Sequence, residues 1–315
     1  MLNTLKTIFI IMMLGEFTMG ILVNGFIGLV NCIDWFKRRK IYLIDLILTS
    51  LAISRISLLC IIIVDGLVGV FFPEEYAKNK FMRIIDGFWT ISNLLNVWFA
   101  TCLSMFYCLK IASFSHPLFL WLKWRINRVI SVVLLASIFI SVFTSLPITE
   151  ILNEDVRNQI NRKHKENNTS ILKMSKGEYF ATQTFLNLGA LFPFTVSLIS
   201  FFLLILSMWK HTRKIKLNAM DTRDVSTEIH LRAMKAVISF LILFVIYCLA
   251  IHIATFSYFF PDQNLAMMFG EITAVIYPAG HSFILILGNI KLKRTSLNAL
   301  QQVKHYLKGG KFLVP

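Results

Sequence analysis

The stretch that decides the fold is "GILVNGFIGLVNCIDWFKRRK" (20–40), a long apolar run that stops at four consecutive basic residues. The apolar character extends back to about residue 8, and about 20 predominantly apolar residues are enough to cross the hydrocarbon core of a bilayer. Lysine and arginine accumulate on the cytoplasmic side of membrane spans. The stretch therefore predicts a first span whose C-terminal end faces inward and whose N-terminal end is extracellular.

Six further runs of this kind follow along the chain. Of its 315 residues, 56% are hydrophobic and only 16% are charged, whereas soluble domains carry roughly a quarter charged residues. In hydrocarbon the backbone must satisfy its own hydrogen bonds, so each run is expected to be a helix. We predict an all-α integral membrane fold, a seven-transmembrane helix bundle that forms a single domain over 1–315. The runs lie at about 8–35, 43–72, 84–109, 128–148, 180–209, 235–260 and 265–289.

The charges between the runs predict the sidedness of the bundle. The predicted inner segments 36–42, 110–128, 210–235 and 291–315 carry most of the 32 lysines and arginines, and the outer segments carry most of the acidic residues. This distribution predicts an extracellular N-terminus and a cytoplasmic tail (290–315). A net charge of +15 is also typical of nucleic-acid-binding proteins. Charge bracketed by membrane spans favours the lipid bilayer as its partner and argues against nucleic acid.

Three segments outside the runs carry further predictions. The long outer loop 149–179 contains "NNTS" (167–170), which offers Asn167 and Asn168 as overlapping glycosylation acceptors. The inner segment 210–235 is amphipathic enough to extend its flanking helices into the cytoplasm. The tail carries apolar residues at spacings of three and four, which predicts a helix lying on the membrane surface. These residues are Leu297, Leu300, Val303 and Leu307.

The sequence contains few features of an enzyme active site or of a metal-binding site. No nucleophile elbow, phosphate-binding loop or HExxH motif is present, so neither an enzyme nor a bound cofactor is expected. All cysteines fall within predicted spans, which leaves no disulfide between outer loops and no metal-binding cluster. A transporter would be expected to show internal repeats with paired broken helices, and none is evident. The cysteines are Cys32, Cys60, Cys102, Cys108 and Cys248.

Polar residues within the spans mark two candidate regions. Asn24 and Arg55 lie near mid-membrane, where polar groups usually face the bundle interior. We expect them to form a buried network that joins the first, second and seventh helices, and its role in packing or in switching stays open.

The second region lies in the outer halves of the third, sixth and seventh spans. Trp89 and Asn93 are four residues apart and therefore share one helix face, and Tyr247 and Glu271 lie at a similar depth. Aromatic walls with a few polar groups are typical of a small-molecule pocket. Sealed packing between helices is the alternative from position alone.

Several long blocks resemble the type 2 (bitter) taste receptors, a family of seven-helix G-protein-coupled receptors. They include "LILTSLAISRISL" (46–58), "FATCLSMFYCLKIASFSHPLFLWLKWRI" (99–126) and "YPAGHSFILILGNIKLK" (277–293). The third span ends in "CLKIA" (108–112), where rhodopsin-like receptors carry an Asp/Glu-Arg-Tyr sequence. Their Asn-Pro-x-x-Tyr motif in the last helix is replaced by "HSFIL" (281–285).

The resemblance implies a function and assigns residues to it. It implies a multi-pass plasma-membrane receptor that binds bitter small molecules in its outer half and activates a gustducin-type heterotrimeric G protein. A chemosensory receptor of the vomeronasal or pheromone class, and less so a transporter, are the alternatives. The implied ligand-binding residues are Trp89, Asn93, Tyr247 and Glu271; the implied switch residues are Asn24, Arg55, Lys110, His281 and Ser282; the G-protein-facing residues are Lys110, His211, Lys214 and Lys235; and Asn167 is the favoured glycosylation site.

Overall fold

The computed structural model describes residues 2–71, 80–145, 176–218, 225–256 and 263–307. Within these ranges the chain is helical apart from short connections, and no strand occurs in them. The helices are α1 (Leu2–Arg38), α2 (Leu43–Phe71), α3 (Lys80–Ile111), α4 (Pro117–Trp124), α5 (Ile126–Ser145), α6 (Lys176–Asn218), α7 (Val225–Thr255), α8 (Gln263–Gly288) and α9 (Ile290–Leu307).

Six of these helices contain a segment long and apolar enough to cross a membrane. The predicted sixth run corresponds to α7, whose described apolar part is Ile238–Ile253 and is shorter than the others. The all-helical class is therefore confirmed, and the helices fit a seven-helix bundle. The six segments are Thr7–Arg38, Leu43–Val68, Gly87–Ile111, Ile126–Ser145, Gly189–Lys210 and Met268–Gly288.

The helices form a closed ring around a buried interior. α1 packs against α2 and α8, α2 against α3, α3 against α6, α6 against α7, and α7 against α8. α5 joins this ring through Ile130 and Leu134, which lie in the same buried cluster as Leu51 and Leu103. This order brings polar residues of α1, α2, α3, α7 and α8 to a common centre.

The close contact between α1 and α2 depends on a glycine. A Cβ atom added at Gly20 would lie 2.5 Å from Leu59 Cδ1, and Leu59 is itself buried. A larger residue would require the Leu59 side chain to move within a closely packed interior. Gly20 therefore fixes the distance between α1 and α2 just above the level of Asn24.

The segments predicted to be cytoplasmic are helical where the structure describes them. α6 continues to Asn218 and α7 begins at Val225, so the segment 210–235 does extend both helices. The tail forms α9, on which Leu297, Leu300 and Val303 are exposed. The helical tail and its apolar stripe are thereby confirmed.

The long outer loop lies mostly outside the described residues, and so do Asn167 and Asn168. Its predicted end at residue 179 is late, because α6 already begins at Lys176. The helix can start in this polar segment because a helix forms its backbone hydrogen bonds internally and does not require an apolar environment.

Candidate functional site

A cavity lies between α3, α6 and α7 and encloses about 470 Å³ of empty space, part of it open to the surroundings. Three of the four predicted ligand-binding residues, Trp89, Asn93 and Tyr247, line it. Glu271 belongs to α8, but its side chain lies outside the described part of the chain. The other lining residues are Thr90, Leu94, Val97, Ala190, Cys248, Ile251 and His252.

The polar groups of this cavity are bonded to one another across α3 and α7. The Tyr247 hydroxyl donates to Asn93 Oδ1, and Asn96 Nδ2 donates to the Tyr247 oxygen at 3.3 Å. Tyr247 is almost fully buried, while Trp89 is half-buried and packs against the same cluster. Asn93 and Tyr247 therefore form a polar floor beneath apolar walls.

Arg55 lies at the centre of a second group of contacts and is fully buried. Its guanidinium donates to Ser282 Oγ at 2.6 Å, to Asn96 Oδ1 at 3.3 Å and to His281 Nδ1. Ser282 in turn donates to Asn24 Oδ1 at 2.7 Å. The network expected between the first, second and seventh helices is present, and it also reaches α3.

Among the residues that the structure describes, the hydrogen-bond partners of Arg55 include no carboxylate. The acceptors that the structure gives it are neutral, and its guanidinium lies 5.4 Å from the centre of the Tyr277 ring. Tyr277 stacks on Tyr247 with ring centres 4.5 Å apart and on His281 at 5.3 Å. Because a buried cation is costly unless it is well hydrogen-bonded, these contacts restrict the side chains around it to few arrangements.

The polar residues of the cavity floor and the contacts of Arg55 are joined in one continuous series of hydrogen bonds. It runs from Asn93 through Tyr247 and Asn96 to Arg55, and then through Ser282 to Asn24. Sequence reasoning separated the two groups, because it assigned no role to Asn96. The available signal was a polar residue at mid-span, three positions after Asn93.

Below the cavity, α3 and α6 are joined by side-chain hydroxyls. Thr101 Oγ1 donates to the carbonyl oxygen of Pro193 at 2.9 Å and accepts from Ser197 Oγ at 2.9 Å. Pro193 lies inside α6 and lacks the N–H that would continue the helical hydrogen bonding. The hydroxyl pair thus fixes the two cavity walls to each other where α6 is locally weakened.

The short helix α4 organises the connection between α3 and α5. Pro117 occupies its first turn, and Phe119 inserts into the core with its ring 5.2 Å from that of Phe114. Lys123 Nζ donates to the Ala112 carbonyl oxygen at 2.9 Å. Lys123 therefore caps the end of α3, in addition to any contact with lipid headgroups.

The predicted G-protein-facing residues are only partly described. Lys110 is exposed at the C-terminal end of α3. His211, Lys214 and Lys235 belong to α6 and α7, but their side chains lie outside the described part of the chain. Their predicted role stays a prediction.

A cluster of opposite charges joins α9 to the C-terminal end of α1 and the N-terminal end of α2. Lys291 Nζ lies 2.8 Å from an Asp34 carboxylate oxygen and 3.1 Å from Asp45 Oδ1, and it donates to Asn31 Oδ1 at 2.9 Å. Asn289 caps the start of α9 by accepting from the Lys291 backbone N–H at 3.0 Å. Sequence reasoning did not identify this cluster.

Replacement of Lys291 by methionine is expected to destabilise the protein by about 1–2 kcal/mol, because it removes the ammonium group that lies between Asp34 and Asp45 and leaves Asp34 with the more distant Arg38, at 4.0 Å. All three charged groups are less than one-third exposed, so solvent screening is limited. Thermal unfolding of the detergent-solubilised protein measures the effect. Lys293→Met, at an exposed position on the same helix, is the matched control, and equal melting temperatures for the two variants would contradict the expectation.

Comparison with known proteins gives one consistent result. Residues 1–304 match the family described as taste receptor protein (TAS2R). The chain is 57% identical over 312 residues to taste receptor type 2 member 7 of Macaca mulatta, which covers 99% of this chain and 98% of that protein. It is 55% identical over 297 residues to the protein of the same name from Rattus norvegicus, covering 94% and 95% respectively. The similarity includes every helix that contributes to the cavity and to the Arg55 network.

Proposed function

The chain belongs to the taste receptor (TAS2R) family, and from this membership we propose that bitter small molecules bind it in the cavity between α3, α6 and α7. It is a receptor of the plasma membrane and not an enzyme. A match to this family over nearly the whole chain sets aside the pheromone-receptor and transporter alternatives.

One observation carries the proposed location of the agonist site. Asn93 and Tyr247 line the cavity and also belong to the series of hydrogen bonds that continues through Arg55 to Asn24. An agonist that contacts Asn93 or Tyr247 either competes with or strengthens one of the hydrogen bonds in this series. Occupancy of the cavity thereby biases the relative positions of five helices.

The lining chemistry supports binding of varied small molecules. Leu94, Val97 and Ile251 supply apolar walls, and Trp89 offers an aromatic face for stacking or for cation–π contacts. Glu271 on α8 is proposed to pair with a cationic group of the agonist. Because the cavity is mostly apolar with few polar side chains, and because apolar contacts are not directional, it favours a broad set of ligands.

Signal transfer is proposed to occur at the cytoplasmic ends of α3, α6 and α7. Agonist binding favours an arrangement in which the inner ends of α6 and α7 open for a gustducin-type heterotrimeric G protein. Lys110, His211, Lys214 and Lys235 form the basic face that meets it, and complementary charge speeds such encounters. The agonist must bind the active arrangement more tightly, because equal affinity for both arrangements shifts nothing.

A functional screen tests the proposal. Cells that express the chain together with a gustducin-type or promiscuous Gα subunit are expected to show calcium transients with a subset of a bitter-compound panel. The same cells without that subunit are expected to stay silent. A ligand-evoked current or substrate flux that persists without any G protein would contradict the receptor function.

A further inference from the structure

The turn of α6 that lines the cavity lacks one of its own helical hydrogen bonds. In a regular α-helix the N–H of residue 193 would donate to the carbonyl oxygen of residue 189. Pro193 lies inside α6 and has no N–H. Ala190, which lines the cavity, lies within this turn. The position of the turn therefore depends strongly on its contacts with neighbouring helices.

One end of the turn is held by a close approach at Gly189. A Cβ atom added at Gly189 would lie 3.1 Å from Thr144 Cγ2 on α5 and 3.8 Å from Leu94 Cδ2 on α3. The Thr144 methyl group has little freedom to move, because the hydroxyl of the same side chain donates to the Ile140 carbonyl oxygen at 2.6 Å. A residue with a side chain at position 189 would have to displace either Thr144 or α6 itself.

The other end of the turn is held by a buried hydroxyl of α3. Thr101 is fully buried, and its Oγ1 lies 2.8 Å from the Val97 carbonyl oxygen of its own helix and 2.9 Å from the Pro193 carbonyl oxygen. Ser197 Oγ donates to the same Thr101 oxygen at 2.9 Å. Thr101 thus bonds to α6 at Pro193 and again one turn further along, at Ser197.

We propose that Gly189 and Thr101 set the distance between α3 and α6, and that this distance limits the cavity to compact small molecules. The inference rests on the proposed function, because it takes the cavity as the agonist site. Leu94 of α3 and Ala190 of α6 both line the cavity, so a shift of α6 away from α3 enlarges the space between them. Gly189, Thr101 and Thr144 are positioning residues, since they act on a ligand through the place of this wall.

Gly189→Ala is expected to widen the cavity. The added methyl group would meet Thr144, so α6 shifts away from α5 and α3. Alanine favours a helix more than glycine does, so the variant is not expected to fail for lack of helix formation. Thr144→Ser removes the opposing methyl group and keeps the hydroxyl, so the double variant is expected to regain the wild-type width. Gly28→Ala is the matched control, because a Cβ atom there meets nothing within 4 Å.

Thr101→Val is expected to widen the cavity from the other end of the turn. The substitution keeps the branched shape of the side chain and removes the hydroxyl that bonds to Pro193 and Ser197. Thr195→Val is its control on α6. Thr195 is exposed, and its hydroxyl donates to the Leu191 carbonyl oxygen of its own helix at 2.9 Å.

Labelling of Cys248 measures the width of the cavity without any agonist. Cys248 lines the cavity, and a methanethiosulfonate reagent that enters it forms a disulfide with the thiolate and releases methanesulfinate. The rates with methyl and with benzyl methanethiosulfonate are measured on the intact chain in membranes, by mass spectrometry of the peptide that contains Cys248. The ratio of the benzyl rate to the methyl rate is compared between variants, because the intrinsic reactivity of the thiol cancels in it.

The labelling ratio is expected to rise about three- to tenfold in Gly189→Ala and in Thr101→Val, somewhat less than the effect of a whole methylene group in an apolar pocket. The double variant with Thr144→Ser and the controls Gly28→Ala and Thr195→Val are expected to keep the wild-type ratio. In the calcium assay, the bulkier agonists of the bitter-compound panel are expected to gain potency relative to the smaller ones in the two widened variants.

The outcomes separate the inference from the function on which it rests. An unchanged labelling ratio in Gly189→Ala would overturn the inference, and so would a change that Thr144→Ser does not reverse. Calcium responses of the wild type to the panel would in both cases leave the proposed function intact. A cavity that even the methyl reagent does not enter, or raised labelling ratios with wild-type potencies for all agonists, would contradict the agonist site and the inference with it.

Discussion

Replacement of Arg55 by methionine is expected to reduce agonist-evoked calcium signalling to background. The substitution removes donors to Asn96, Ser282 and His281, which belong to two different helices. Hydrogen bonds to a charged group contribute about 1.5–3 kcal/mol each, and relief of the buried charge offsets only part of their loss. Without Arg55, the cavity floor and the polar groups of α1 and α8 are no longer connected.

Two further variants separate the geometry of Arg55 from its charge. Arg55→Lys keeps the charge, but a compact ammonium cannot reproduce the planar fork of donors, so signalling is expected to stay well below wild type. Ser54→Ala is the control on the adjacent residue, whose hydroxyl donates to the Leu51 carbonyl oxygen of its own helix. Wild-type signalling by Arg55→Met, at equal surface expression, would show that the network is not part of the signalling path.

The fold was largely predictable, because a bilayer allows the backbone few structures. Only helices satisfy their own hydrogen bonds within a single segment, so the run 43–72 corresponds closely to α2 (Leu43–Phe71). The ends of α6 were less predictable. Its extensions to Lys176 and Asn218 lie in polar sequence, where hydropathy carries no information about helix length.

Residues that line the cavity could be predicted from the sequence, but the hydrogen bonds that join them to Arg55 could not. Helical spacing placed Trp89 and Asn93 on one face, and depth within the predicted spans placed Tyr247 near them; all three line the cavity. The link through Asn96 depends on how α3 is rotated relative to α2 and α7, which no pattern within one segment specifies.

The cluster at the start of α9 illustrates the same limit. Asp45 lies near the start of the predicted second span and Lys291 at the start of the predicted basic tail, and neither position indicates the other as a partner. They meet because α8 ends and α2 begins at the same face of the bundle, where Lys291 also reaches Asp34. Sequence showed opposite charges at several inner helix ends but not which of them pair.

Trp89→Ala is expected to lower the potency of most agonists by about 10–100-fold, since large aromatic residues at the centre of a binding site commonly contribute 2 kcal/mol or more. Trp89 lines the cavity and lies one turn above Asn93, so its loss removes an aromatic wall from the ligand. Phe88 is the matched control. It is the adjacent aromatic residue on α3, but it is 58% exposed and does not line the cavity.

The comparison of Trp89→Ala with Phe88→Ala tests the location of the agonist site most directly. Half-maximal agonist concentrations are measured for both variants and the wild type at matched surface expression, with several chemically unrelated agonists from the panel. A large loss of potency in Trp89→Ala with wild-type values in Phe88→Ala is the predicted result. Wild-type potency in Trp89→Ala for all of these agonists, or equal losses in the two variants, would contradict an agonist site between α3, α6 and α7.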